Sequence, residues 1–154
     1  FSDAQSPPTT GIGLFELYDL STSGGRAGNI STRGQVLGGD KVLIGGMIIG
    51  GIDAKTVIVR AIGPSLSGAG IANSLSNPML ELFDGNGTIV QSNDDWQQGP
   101  DTQAITEAGL EPSDPKESAL FSTLNPGAYT AIVEGVDGAT GVGLVEVYDT
   151  SPVP

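Results

Sequence analysis

The sequence contains no cysteine and no histidine among its 154 residues. Their absence excludes thiol nucleophiles, imidazole acid–base catalysis and every usual zinc ligand set except carboxylates. It also excludes disulfides, although this does not define a compartment, because secreted proteins do not require them. The fold must therefore be stabilised by packing and hydrogen bonds, without covalent cross-links.

Positive charge is scarce as well: there are 6 Lys and Arg against 18 Asp and Glu, which gives a formal net charge of −12. Nucleic acids and anionic membranes are unfavourable partners for such a chain, because both are bound through clustered cations. The longest apolar run, Val42–Ile52, is too short to span a bilayer and is interrupted by glycines. The sequence also contains no nucleophile elbow, phosphate-binding loop or metal motif. We therefore expect neither an enzyme nor a nucleic-acid-binding or membrane-inserted protein.

One segment of the sequence occurs twice. Residues 10–21, TGIGLFELYDLS, reappear at residues 140–151 as TGVGLVEVYDTS, with eight of twelve positions identical. The offset, 140 minus 10 or 130 residues, is too long for a solenoid repeat and fits a whole small domain. The pattern predicts one domain plus one additional strand of the same kind as its last strand.

Each copy carries apolar side chains on both faces, because successive residues of a strand point to opposite sides. A strand of this kind suits a position enclosed by protein, and it would be an aggregation hazard if it were left unpaired. Its candidate docking residues are Ile12, Leu14, Phe15, Leu17 and Tyr18, and the equivalent residues of the second copy are Val142, Leu144, Val145, Val147 and Tyr148.

The N-terminal region around the first copy has the composition of connecting segments. Ser, Thr, Gln and Pro before residue 11 predict a flexible leader, and the glycines after residue 20 predict a flexible tether. Because the chain begins at Phe1 rather than Met, we expect an exported protein whose signal peptide has been removed, although a truncated chain would begin in the same way. The predicted organisation is a leader at 1–10, an N-terminal strand at 11–20, a tether at 21–28, a domain at 29–150 and a tail at 151–154.

The domain consists of short β-rich runs separated by turn residues. The Asn86-Gly87 pair between runs 79–84 and 88–92 predicts a hairpin, and runs 41–51 and 55–62 are predicted to pair with each other. One short helix is predicted at 101–108, with Asp101 and Gly109 as caps, and further strands at 118–124, 128–135 and 142–149. Together these features predict an all-β fold, an antiparallel β-sandwich or jelly roll with about seven or eight core strands plus the N-terminal strand.

Several motifs resemble known bacterial modules. The strings NISTRG at 29–34, LIGGMIIGG at 43–51, VIVRAIGPSL at 57–66 and GLVEVYD at 143–149 resemble a repeat module of large secreted and surface proteins of environmental bacteria. The strings LELFDGNGTIV at 80–90, NDDW at 93–96 and LNPGAYTAIVEG at 124–135 are similar to β-sandwich domains found after secreted bacterial peptidases. These resemblances imply a sandwich fold and an extracellular or cell-surface location.

A calcium site is one possibility that the second resemblance implies, because some of those domains bind calcium or polymers such as collagen. The residues that would carry it are Asp84, Asn93, Asp94 and Asp95, whose oxygens are of the type that calcium prefers. Solvated acids in turns explain this cluster equally well. Otherwise no cofactor is expected.

Two further side chains have both a structural and a functional interpretation. Arg60 lies inside an apolar run, where an unpaired charge is costly, so we expect a structural ion pair with an acid such as Asp40. Trp96 is the only tryptophan, and it can either stack on a sugar ring or pack at the edge of the core. We expect the packing role.

Two functional hypotheses follow from the duplicated strand. In the first, the chain is a structural subunit of an extracellular, pilus-like filament, a homopolymer in which residues 11–20 of one subunit add to a sheet of the next. In the second, the chain is a monomeric adhesion module of a tandem surface protein, which binds a polysaccharide, a protein or a host or matrix surface. An N-terminal strand that pairs within its own sandwich would be compatible with the second hypothesis.

Overall fold

The structure, a computed structural model, describes residues 13–17 and 28–151. Within these ranges the chain forms eight strands, one short α-helix and three 3₁₀ turns. The strands are β1 (Asn29–Val36), β2 (Leu43–Ile49), β3 (Lys55–Ile62), β4 (Pro78–Asp84), β5 (Ile89–Asn93), β6 (Ser118–Leu124), β7 (Gly127–Gly135) and β8 (Gly141–Asp149); the helix is α1 (Thr102–Glu107), and the 3₁₀ turns are Pro64–Ala69, Trp96–Gln98 and Val136–Gly138.

The strands form two antiparallel four-stranded sheets that pack face to face. Sheet A has the order β1-β8-β3-β6, and sheet B has the order β2-β7-β4-β5. The pairs β4–β5, β3–β6, β2–β7 and β1–β8 are nested, as in one long hairpin wound around itself, which is the arrangement of a jelly roll. The prediction of an all-β antiparallel sandwich is confirmed. One lateral side of the sandwich is formed by β1 and β2, and the other by β5 and β6.

One predicted pairing is wrong. The runs 41–51 and 55–62 do not pair with each other, because β2 lies in sheet B beside β7 whereas β3 lies in sheet A between β8 and β6. The burial patterns explain the difference: β2 alternates between exposed and half-buried residues, as an edge strand does, whereas β3 is buried almost throughout. Between them the chain passes from one sheet to the other, with Gly51 in the left-handed region at φ +85°.

The hydrophobic core lies between the two sheets. Its buried members come mainly from β3, β4, β6, β7 and β8, with Val36 from β1 and Leu75 from the segment before β4. All of them fall between residues 36 and 147. Residues 13–17, the described part of the first copy of the repeated segment, are not among the members of this core.

The predicted hairpin of β4 and β5 is confirmed, and local hydrogen bonds account for it. The carboxylate Oδ1 of Asp84 accepts hydrogen bonds from the backbone N–H groups of Asn86 and Thr88, both at 2.9 Å. These bonds, the one from Thr88 first, lower the pKa of Asp84 below its ordinary value. Gly87 has φ +78°, the left-handed conformation that such a turn requires.

Candidate functional site: the repeated strand and the open edge of the sandwich

The described part of the first copy of the repeated segment is exposed. Gly13–Leu17 belong to neither sheet, and the side chains of Leu14, Phe15 and Leu17 are 85%, 78% and 58% exposed. Large apolar groups of adjacent residues are seldom left in water without a partner. The other predicted docking residues of this copy, Ile12 and Tyr18, lie outside the described residues.

The second copy is enclosed. It forms β8, which lies between β1 and β3 in sheet A and therefore has a hydrogen-bonded neighbour on each side. Val145 and Val147 point into the core and are 2% and 9% exposed, whereas Val142, Leu144 and Tyr148 point outward and are half-buried. As its sequence pattern indicated, this strand carries apolar groups on both faces.

The outward face of β8 carries an ion-pair network. Arg60, on β3, donates from Nε and Nη2 to Glu146 Oε2 at 2.9 and 2.5 Å, and Nη2 also donates to the Tyr148 hydroxyl at 3.0 Å. The guanidinium carbon lies 5.0 Å from the centroid of the Tyr148 ring, within the range of a cation–π contact. Burial raises the pKa of Tyr148, against the opposing effect of the Arg60 charge.

The predicted structural ion pair of Arg60 is thus present, but its partner is Glu146 and not Asp40. The reason is the register of sheet A, in which Arg60 and Glu146 lie directly opposite each other. Opposite charges at such positions stabilise a sheet by about 0.2–1 kcal/mol. Both partners on β8 have identical counterparts in the first copy, Glu16 and Tyr18.

The β5/β6 side of the sandwich is sealed by side chains. At the outer edge of β6, the N–H of Ala119 donates to Asn93 Oδ1 at 3.0 Å, and the N–H of Phe121 donates to Asp101 Oδ2 at 3.1 Å. Gln91 Nε2 also donates to Asp101 Oδ2 and fixes that carboxylate. Because these edge amides already have acceptors, this part of the edge is not available for a further strand.

Helix α1 and Trp96 complete the seal. The predicted helix is confirmed, and Gly109 ends it in the left-handed conformation at φ +66°. Asp101, however, makes no side-chain cap, because its carboxylate accepts a hydrogen bond from the N–H of Phe121 on β6. Trp96 is buried and packs with Ile105, Ala119 and Phe121, which is the predicted packing role.

The outer edge of β1 is open. The carbonyl of Gly28 accepts from the N–H of Asp149 at 2.9 Å, and backbone groups alternate in direction along an antiparallel pair. The odd-numbered residues Ser31, Arg33 and Gln35 therefore direct their N–H and C=O groups away from β8. In the described ranges, no other backbone or side-chain group bonds to these atoms from the open side.

The neighbouring edge strand, β2, is also incompletely covered. Leu43, Met47 and Ile49 point inward and are only partly buried, and Ile44 and Ile48 point outward with 56% and 76% exposure. The β1/β2 side thus combines free backbone groups with accessible apolar side chains. These are the features that strand addition uses.

The acidic residues proposed for calcium do not all come together. Asp84 lies at the turn end of the β4–β5 hairpin, whereas Asn93 lies opposite Leu80 at the other end, next to Asp94 and Asp95. Asn93 is engaged at the edge of β6. The described residues contain no group of three or more acidic side chains placed to hold a metal.

One buried residue was missed by the sequence analysis. Glu117 is 0% exposed, and its Oε1 accepts from Gly63 N at 3.1 Å and from Ser65 N at 3.0 Å, while Oε2 accepts from Asp114 N at 3.2 Å. It fixes the turn after β3 to the segment before β6. A glutamate directly before an apolar strand was the only signal of it, and that signal does not distinguish a buried acid from a solvated one.

Within the described ranges, no helix has the length and apolar character needed to cross a membrane. No family model and no curated protein matches the chain. Among solved structures, it is similar to the pre-peptidase C-terminal domain of a collagenase from Bacillus anthracis, with 14% identity, coverage of 77% of this chain and 88% of that chain, and a TM-score of 0.48. That domain is of the kind that the second half of the sequence resembles, whereas the repeat-module resemblance has no match. The fold assignment rests on the strand pairing itself.

Proposed function

We propose that the chain is a structural subunit of an extracellular filament, in which the N-terminal strand of each subunit adds to the sandwich of the next. The observation that carries this proposal is the contrast between the two copies of one strand: Val145 and Val147 are buried, and their counterparts Phe15 and Leu17 are exposed. A second sandwich is the partner of the right kind, because the second copy is itself bound by such a sandwich.

Head-to-tail addition of this kind leads to an open polymer. The donated strand and the accepting edge are different surfaces of the same subunit, so each added subunit presents a new accepting edge. The apolar side chains of Leu14, Phe15 and Leu17 are not among the members of the sandwich core, which supports their burial in another subunit. The open β1/β2 side provides backbone groups and apolar surface for it.

The apolar side chains supply the association energy. Full burial of a large aliphatic or aromatic side chain contributes about 1.5–3 kcal/mol, so Leu14, Phe15 and Leu17 together supply about 5–9 kcal/mol before the cost of ordering the segment is subtracted. Main-chain hydrogen bonds along the edge add to this energy and fix the direction of the strand. On this proposal the protein acts by assembly with itself, outside the cell, without catalysis and without a nucleic-acid partner.

The test is to replace Leu14 and Leu17 with Asp and to examine the protein by negative-stain electron microscopy. We expect filaments from the unaltered chain and dispersed single particles from the Leu14→Asp/Leu17→Asp variant, because two carboxylates cannot be buried in an apolar site without large cost. Ile89→Asp/Val90→Asp is the matched control: it adds the same charges at exposed apolar positions on β5, on the opposite lateral side, and should leave the filaments intact.

Filaments that persist in the Leu14→Asp/Leu17→Asp variant would show that this segment is not the connecting element. If the unaltered chain remains monomeric at high concentration, the assembly proposal is wrong. In that case a monomeric adhesion module becomes the better hypothesis, and a glycan or matrix-protein array is the assay for it.

A further inference from the structure

We propose that the acceptor for the N-terminal strand is the open edge of β1, where Glu16 of one subunit pairs with Arg33 of the next. This inference rests on the proposed function and adds to it the docking edge, the register and the ion pair. Three features of sheet A support it: the charge on β1, the direction of the β1 backbone groups and the contacts that β8 makes with β3.

Charge complementarity favours this edge. Arg33 is exposed on the outward face of β1, and within the described residues it makes no ion pair, since the single salt bridge there joins Arg60 to Glu146. A chain with 6 cations and 18 acids repels copies of itself. An acidic strand such as residues 11–20 is therefore expected to dock where one of the few cations is available.

The contact of β8 with β3 is the internal precedent. The N–H of Thr150 donates to the carbonyl of Thr56 at 2.9 Å, so that, by alternation along the register, Arg60 and Glu146 also direct their backbone groups at each other. Both side chains point outward and form the ion pair. The second copy, β8, thus pairs on β3 with an arginine, Arg60. The side chain of Arg60 points outward, and its backbone groups point towards β8.

Arg33 has the same geometry on β1. Its backbone groups point to the open edge and its side chain points outward. An antiparallel strand with the sequence of the first copy would therefore find at β1 the arrangement that its twin finds at β3, with Glu16 opposite Arg33.

This register also suits the inward face. It places Phe15 opposite Gly34 and Leu17 opposite Thr32, which share the face of buried Val36 by alternation along β1; Gly34 is half-buried and Thr32 is exposed. A Cβ on Gly34 would lie 3.0 Å from the Leu43 side chain of β2. Phe15 and Leu17 would thus lie over the partly buried apolar residues of β2, as Val145 and Val147 lie over the centre of the core.

The other edges fit less well. The β6 edge is sealed by Asn93 and Asp101, and β2 carries no cation for Glu16 to meet. The β1 edge of the same subunit is the remaining competitor, because a segment that precedes β1 in the chain is able to fold back onto it. In this structure Gly13–Leu17 lie outside sheet A, which favours an acceptor in another subunit.

Charge reversal tests the ion pair between Glu16 and Arg33. It also distinguishes the β1 edge of another subunit from the β1 edge of the same subunit as the acceptor. Glu16→Arg alone and Arg33→Glu alone each place like charges opposite one another, and we expect the critical concentration for filament assembly to rise about threefold to tenfold in each. A mixture of the two variants restores both attractive contacts, in alternation along the filament. We therefore expect mixed filaments at nearly the unaltered critical concentration, measured by sedimentation and electron microscopy.

The possible failures of this test are distinguishable. If Arg33→Glu assembles like the unaltered chain, the docking edge lies elsewhere, although the filament proposal stands. If each variant is impaired and mixing rescues nothing, the contact is not made between subunits and this proposal is wrong. If the unaltered chain forms no filaments, both proposals fail.

Disulfide trapping with introduced cysteines tests the register independently. Because the chain contains no native cysteine, only the introduced thiols can form disulfides. Leu17→Cys/Thr32→Cys places two thiols at a directly opposed pair that is not hydrogen bonded, where Cα atoms are about 4.5 Å apart and a disulfide is sterically allowed. We expect a ladder of covalent multimers on a non-reducing gel. A disulfide confined to single chains, or a ladder from the Leu17→Cys/Met47→Cys control instead, would overturn the assignment to β1 of a neighbour.

Discussion

The two lateral sides of the sandwich differ in how the backbone groups of their edge strands are paired. Each ends in strands whose outer backbone groups need partners, since exposed edges invite association. On the β5/β6 side, the amides of Ala119 and Phe121 are paired with Asn93 and Asp101 from the same chain. On the β1/β2 side, Ser31, Arg33 and Gln35 have no such partners in the described part of the chain. Among the described residues, side chains of the same chain thus pair with edge amides on the β5/β6 side and not on the β1/β2 side.

The contrast indicates that the open side is available for a partner. The proposed partner segment is the first copy of the β8 sequence, whose side chains Leu14, Phe15 and Leu17 are exposed. Substitutions can either open the β5/β6 edge or block the β1 edge, and we expect these changes to affect stability and assembly to different extents.

Unsealing the β5/β6 side should have the largest effect on stability. Asn93→Ala/Asp101→Ala leaves the two edge amides of β6 without acceptors, at a cost of about 1–3 kcal/mol each in the free energy of unfolding. In the Leu14→Asp/Leu17→Asp background, the unsealed protein should also begin to self-associate through β6. Urea denaturation and analytical ultracentrifugation measure the two effects, and Gln103→Ala on the exposed face of α1 is the control. An unchanged unfolding midpoint would show that these side chains do not seal the edge.

Sealing the β1/β2 side should affect assembly more than stability. Ser31→Pro removes an N–H that points to the open edge, so its cost to the isolated subunit should stay below about 1 kcal/mol, while filament assembly is lost. Thr32→Pro is the matched control, because the N–H of Thr32 points to β8 and its loss, together with the steric clash, should destabilise the subunit by about 3 kcal/mol. Equal melting temperatures for the two proline variants would contradict the assigned direction of the β1 backbone.

A smaller effect on stability is expected from replacing Asp94, an acid that follows β5 on the sealed side. Burial, and then the charges of Asp95 and Asp137, raise the pKa of Asp94. The folded state therefore binds a proton more readily than the unfolded state, so the charged form of Asp94 costs stability above its folded pKa, and this cost disappears as the pH falls through that pKa. Asp94→Asn should raise the melting temperature slightly at pH 7 and leave it unchanged at pH 3. A lower melting temperature at pH 7 would show that the charge is stabilising.

The sequence predicted those parts of the fold that local chemistry determines. The β4–β5 hairpin followed from an Asn-Gly turn, and α1 followed from its flanking residues. The pairing of β2 with β3 was predicted wrongly, because the choice of sheet depends on which strands are buried on both faces, and that depends on distant segments. The polar strand β1, NISTRGQV, gave little periodic signal, since its strand character comes from pairing with β8.

Some features of the candidate site could likewise be predicted from the sequence, and others depend on the strand order. The repeated strand was visible because comparing two segments of a sequence requires no structure. The position of Arg33 on an edge strand was not visible, because the sequence does not distinguish an arginine on an edge strand from one on a central strand until the strand order is known. The side chains that seal β6 were hidden for the same reason: Asp101 carries the pattern of a helix cap and is used elsewhere.

The most direct test of the account is a mixing experiment with a chain that lacks residues 1–21. Such a chain has an accepting edge but no strand to donate, so it should act as a terminator when it is added to the unaltered protein. We predict that the truncated chain alone is monomeric and that filament length, measured by electron microscopy, falls as its proportion rises. Filaments formed by the truncated chain itself, or lengths that do not respond to its addition, would contradict assembly through the N-terminal strand.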